Sequence, residues 1–131
     1  MIVKAKVVLK GSKRSEECVA LVDTGAIMTV VDESLAKSIG VTYTGRKRSL
    51  MSATGHKLEG EIAIVRELTV EDETLDYEKI LVVKFNGEVK KILRKLNVSE
   101  SIILGITTIE LASFIPDTNT GKLRKIEAFL F

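Results

Sequence analysis

Two observations predict a mostly β fold with three short helices. Over most of the chain, apolar side chains recur at every second position, the period of a strand with one buried face. In three places that period gives way to short stretches with helical spacing and capping residues. Met1, Val3, Ala5, Val7 and Leu9 share one face of a first strand, with Lys4, Lys6 and Lys10 on the other. Gly11-Ser12 supplies a turn, and a second strand runs from Glu16 to Asp23. Asp32 is placed to cap a helix over 33–39 that Gly40 ends. Ile62, Ile64, Leu68 and Val70 then alternate with Glu61, Glu67 and Glu71. After a turn at Asp72-Glu73, the pattern repeats through Leu75, Tyr77, Leu81, Val83 and Phe85. Val89, Ile92, Leu93 and Leu96 fall at i, i+3, i+4 and i+7, which predicts an amphipathic helix over 88–96. Thr107 with Glu110 reads as a capping box for a last helix through Ala112. A closing hairpin joins Phe114–Asp117, a turn around Asn119 to Gly121, and a strand from Lys122 to the C-terminus.

With 131 residues, 45% of them apolar, the chain is expected to form a single domain over 1–131 with a sizeable core. Charged residues are 29% and nearly balance at net +2, and Trp is absent. Neither the charge nor the aromatic content of a nucleic-acid binder is there, so no nucleic-acid partner is expected. Cys18 has no second cysteine to pair with and reads as a small buried hydrophobe. Lys4, Lys6 and Lys10 interrupt any N-terminal apolar region, and the longest uncharged stretch, 101–109, is too short to span a bilayer. A cytoplasmic protein with no membrane association is the expectation. His56 is the lone histidine and has no partner at ligand spacing, so no metal and no cofactor are expected.

The chemistry concentrates in residues 19–31, where Asp23-Thr24-Gly25 lies between two apolar runs. A carboxylate among apolar residues is costly unless it is paired or hydrogen-bonded. Gly25 lets the backbone turn sharply and bring an amide to the carboxylate, and Thr24 adds a hydroxyl that donates and accepts. Further on, Ile103-Leu104-Gly105 closes an apolar segment that leads into the last helix. Between the two, Arg48-Ser49-Leu50-Met51-Ser52-Ala53-Thr54-Gly55-His56-Lys57 has the make-up of a hairpin with its tip at Thr54-Gly55.

In this order and spacing, the three segments and the Phe114-Ile115-Pro116-Asp117 hairpin resemble the retroviral-type (retropepsin-like) aspartic proteases. They point to a cellular prokaryotic or archaeal member. The resemblance implies a retropepsin-like closed barrel with two or three short helices and one lobe per chain. It implies that Asp23 is catalytic, that Thr24, Gly25 and Ala26 build its loop, and that Ile103, Leu104 and Gly105 support that loop. It makes 48–57 a flap over a polypeptide substrate, with Leu50, Met51, Ser52, Ala53, Thr54 and Gly55 as flap and substrate-binding residues. In such enzymes two aspartates share one proton, so that one serves as base and the other as acid. This chain holds one such loop; Asp117-Thr118-Asn119 lies in a polar turn with no apolar run after it. A homodimer is therefore implied, with Asp23 beside its own copy across a two-fold axis.

Some features depart from the pattern or admit two readings. Ile27 and Met28 stand where retroviral members usually carry acids, and Ile106, Thr107 and Thr108 where a base is frequent. The ion pair those groups form is thus replaced by apolar contact. Ala26 offers no hydroxyl to the carboxylate, which implies a less acidic optimum than that of stomach-type enzymes. Leu50, Met51 and Ala53 either line the cleft or pack the flap's root. Arg46-Lys47-Arg48 is either solvated surface or a guide for acidic substrates. Met1-Ile2-Val3 and residues 126–131 are apolar on both faces, which reads as a contact surface between copies or as central strands of the monomer's own sheet. Two functions compete: a homodimeric aspartic endopeptidase, and a non-catalytic dimeric module of the same fold that binds peptides or protein partners.

Overall fold

The computed structural model describes residues 1–51 and 57–127. Nine strands and three helices follow one another among these residues. They are β1 (Lys4–Lys10), β2 (Ser15–Asp23), β3 (Val30–Asp32), α1 (Glu33–Ile39), β4 (Thr42–Met51), β5 (Lys57–Val70), β6 (Glu73–Val83), α2 (Gly87–Lys95), β7 (Ile102–Gly105), α3 (Ile106–Leu111), β8 (Phe114–Asp117) and β9 (Lys122–Lys125). Strands β1-β2-β7-β3-β6-β5 form a sheet that closes on itself where β1 pairs with β5, as Val7 with Val70 and Lys10 with Glu67. This is a closed six-stranded barrel, the closed form that the resemblance implies. Strand β4 hangs outside the barrel on β5.

Alternation explains β1: Ala5, Val7 and Leu9 are buried while the intervening lysines point out. Its partner β2 runs antiparallel to it and then parallel to β7, so that Asp23 sits opposite Gly105 at the ends of both strands. Between β7 and β6, the short β3 is buried throughout, and Asp32 at its end caps α1. Gly40 closes that helix in the left-handed region at φ 82°, as its position predicts. Most buried apolar side chains, Leu9, Leu68, Ile80, Leu104 and Ile109 among them, form one cluster inside the barrel and under α1 and α3. A second cluster, around Met28, Leu81, Phe85 and Leu93, lies beneath α2.

Several expectations need correction. Strand β1 begins at Lys4, leaving Met1 and Ile2 exposed. In β5 Ile62, Leu68 and Val70 are buried as expected, but Ile62 joins the cluster beneath α2, while the barrel cluster takes Ala63, Val65, Leu68 and Val70; the parity towards the barrel thus changes across Arg66, and Ile64 is only half-buried. Its partner β6 changes parity at Tyr77, which takes φ 52° and is 72% exposed instead of pointing inward. The register is continuous through this point, Val65 with Glu78 and Glu67 with Asp76, so the two strands roll over together. In α2 only Leu93 is buried; Ile92 is 58% exposed. Helix α3 starts two residues earlier than expected, with Gly105 and not Thr107 at its N-cap and no side-chain cap. Its first amides donate to the loop carbonyls instead, Ile106 N to Ala26 O at 2.8 Å and Thr107 N to Ile27 O at 3.2 Å. That satisfies the orphan donors of a helix start without a capping box. Strand β9 ends at Lys125, and Ile126 lies beyond it, exposed. The apolar residues at 128–131 lie outside the described residues. Among the described residues no helix is long and apolar enough to cross a membrane.

Candidate active site

The loop after β2 is built around the Asp23 carboxylate. Gly25 N donates to Asp23 Oδ1 at 2.9 Å, and Ala26 N donates to the Asp23 carbonyl at 3.1 Å, which closes a tight turn. A Cβ on Gly25 would stand 3.1 Å from that same Oδ1, so the close approach favours glycine. Asp23, Thr24 and Gly25 are exposed, and Ala26 is half-buried. The carboxylate is thus held from behind by a backbone amide and presented outward.

The Ile103-Leu104-Gly105 segment lies directly behind this loop. Leu104 is fully buried, while half-buried Ile103 faces the cleft. Gly105 cannot be replaced without movement, because a Cβ there would lie 2.3 Å from the Met28 carbonyl carbon. One residue the sequence reading passed over joins the two segments. Thr29 is fully buried; its hydroxyl stands 2.6 Å from that of Thr108 and accepts from Gly105 N at 3.1 Å. Buried hydroxyls need partners. The available signal was a lone hydroxyl within the run Ile27-Met28-Thr29-Val30-Val31.

A cleft of about 370 Å³ opens between the Asp23 loop and β4. Asp23, Gly25, Ala26 and Ile27 form its floor, with Leu50 and Met51 along one side. Leu50 packs on the cluster beneath α2 and also lines this cleft. Met51 lines the cleft and is largely exposed. Arg48 and Ser49, expected only as flanking residues, reach the cleft as well. The hairpin expected over 48–57 is present as the paired ends of β4 and β5, Arg48 with Gly60 and Met51 with Lys57. Its tip, with Ser52, Ala53, Thr54, Gly55 and His56, lies outside the described residues.

Asp32 does more than cap α1. It is buried and takes hydrogen bonds from Ser34 N at 3.4 Å, from the Ser34 hydroxyl, and from Phe85 N at 2.8 Å; Lys90 Nζ stands 4.0 Å away. Burial pushes its carboxyl up, but the Ser34 and Phe85 bonds and the Lys90 charge outweigh that and hold it below the usual carboxylate range. One buried acid thereby ties the end of β3 to the segment that enters α2.

No curated protein matches the sequence. Among solved structures, the chain is similar to a retropepsin-like aspartic protease from Rickettsia conorii, at 16% identity and a TM-score of 0.51. That match covers 89% of this chain and 83% of the other, and at such low identity it speaks for the fold. The family model described as "Aspartyl protease" matches residues 5–108, from β1 through the Asp23 loop and strands β4 and β5 to Gly105 and the first turn of α3. On that match over most of its length, the chain belongs to the aspartyl protease family.

Proposed function

We propose that the chain is an aspartic endopeptidase that works as a homodimer in the cytoplasm, with one Asp23 from each copy. The observation that carries this reading is the Asp23 carboxylate, pinned through Oδ1 and exposed on the floor of a cleft beneath a strand hairpin. The chain contains a single Asp-Thr-Gly loop, and the proposed chemistry needs two. Exposed Met1 and Ile2 supply apolar surface for a second copy.

Two carboxylates at close range do not both ionise, so the pair holds one proton. The ionised Asp23 takes a proton from water as the water oxygen bonds to the peptide carbonyl carbon. The protonated Asp23 gives its proton to the carbonyl oxygen. As the tetrahedral diol collapses, the ionised Asp23 takes a proton from one hydroxyl, the carbonyl re-forms, the C–N bond breaks and the protonated Asp23 gives its proton to the leaving nitrogen, so the pair again holds one proton. Leu50, Met51 and the remainder of the hairpin cover the substrate and exclude bulk water, and the loop and Ile103-Leu104-Gly105 keep the carboxylate in place.

The test compares wild type with Asp23→Asn on a peptide library. Cleavage by the wild type and none above background by the variant supports the proposal. Equal cleavage by both refutes it. If neither cleaves while both bind peptides as dimers, the non-catalytic module is the correct reading.

A further inference from the structure

Asp23 borders a second cavity, of about 330 Å³, on the side away from β4. It shares Asp23, Val30, Leu58 and Ile103 with the cleft under the hairpin, so the two hollows form one continuous trough around those residues. The far wall of the second hollow is α2, which offers Val89 and Ile92 to it. Packing within the chain does not explain Ile92, which is 58% exposed, while α2 meets the core through its neighbour Leu93. Adjacent helical residues point about 100° apart. The helix therefore has one apolar direction sunk into the core and a second directed into the trough.

This wall is held firmly. Asn86 caps α2 by accepting from Val89 N at 2.8 Å, and Asp32 takes the Phe85 amide and faces Lys90. A wall fixed by such supports can discriminate by shape. The hollow is at the small end of ligand-sized cavities, which suits one large side chain. Among the described residues its charges besides Asp23 are the exposed Lys84 and Glu88, so a charged side chain would lose hydration with no buried partner among them to replace it.

We propose that α2 forms a specificity pocket that receives a large aliphatic or aromatic side chain next to the scissile bond, with Ile92 and Val89 as its selecting residues. This rests on the protease reading above. The test uses the full chain and peptides that differ only at one residue flanking the cut, carrying Ala, Leu or Phe. Ile92→Trp narrows the pocket and should lower kcat/KM for the Leu and Phe peptides by about tenfold or more relative to the Ala peptide. Ile92→Ala widens it and should move preference towards Phe. Because Ile92 is exposed, the alanine variant should fold and can carry the test alone if the tryptophan variant does not. Selectivity unchanged in the folded variants, with cleavage still abolished by Asp23→Asn, overturns the pocket and leaves the protease standing. A shift in sedimentation with no change in selectivity also overturns it, since α2 would then meet a second copy. Cleavage that survives Asp23→Asn, or is absent from wild type, removes both proposals together.

Discussion

Replacing Thr29 by valine tests whether the buried hydroxyl pair holds the Asp23 loop on its support. The two side chains have nearly the same shape, so the perturbation is chemical and not steric. The Thr29 hydroxyl meets two groups, Gly105 N–H and the Thr108 hydroxyl, and all three lie out of reach of water. Valine leaves both without a partner, at about 1–3 kcal/mol for each stranded group, offset in part by the gain from burying a methyl. A net loss of roughly 2–4 kcal/mol follows. Thr108→Val removes one partner of the Thr29 hydroxyl, which still accepts from Gly105 N, so the loss should be about 1 kcal/mol. The double variant should cost less than the sum of the two, because the orphaned Thr108 hydroxyl disappears with its partner. Urea unfolding followed by circular dichroism, at one fixed protomer concentration, measures all three. Thr29→Val within about 0.5 kcal/mol of wild type, or Thr108→Val as the costlier single change, would refute the assignment.

The remaining predictions concern the same frame. Gly105→Ala drives a Cβ into the Met28 carbonyl, so it should destabilise by about 1–3 kcal/mol and lower kcat more than KM on any cleaved peptide; unchanged kinetics in the variant would contradict this. Asp32 has its carboxyl held below the ordinary range when folded, so its stabilising contribution is present above the unfolded value and is lost as pH falls through the folded one. Asp32→Asn should therefore flatten the acid limb of the stability curve, costing about 1–3 kcal/mol at neutral pH and little at the acid end; a parallel curve displaced equally at every pH would contradict it.

How much of this was legible in the sequence depended on whether the cause was local. Strand β1 could be read because one of its faces is buried and the other carries lysines, so the pattern and the burial coincide. Asp32 and Gly40 could be read because a helix cap is made within a few residues of the helix. The roll in β5 could not: residues 62–65 are apolar at every position, which leaves the inward parity unmarked, and Tyr77 looks like a core residue until its backbone turns it outward. The start of α3 was misplaced because its amides are satisfied by the loop before β3 and not by a neighbouring side chain. Thr29 depends on groups 76 and 79 residues away, and the second duty of Asp32 on one 53 residues away; no local pattern encodes either. At the site, Asp23 and Gly25 stood out because a carboxylate between apolar runs needs a turn that brings an amide to it, whereas Gly105 was read from the resemblance and its close approach to Met28 appears only in the structure. The cleft roles of Arg48 and Ser49 come only from the way β4 lies over the loop.

Strand β5 is a beam clamped along most of its length and overhanging at one end. From Glu61 onward it is gripped by β6; from Lys57 to Gly60 it holds only β4. The overhang is four residues, about 13 Å of strand, and it is rooted at Gly60, which sits against the Val82 carbonyl where a side chain would not fit. None of β2, β3 or β7, which seat the Asp23 carboxylate, exchanges a backbone pairing with the overhanging part. Any deflection of the overhang would therefore reach the Asp23 loop through side chains such as Leu50 and Leu58, and not through the hydrogen bonds of the sheet.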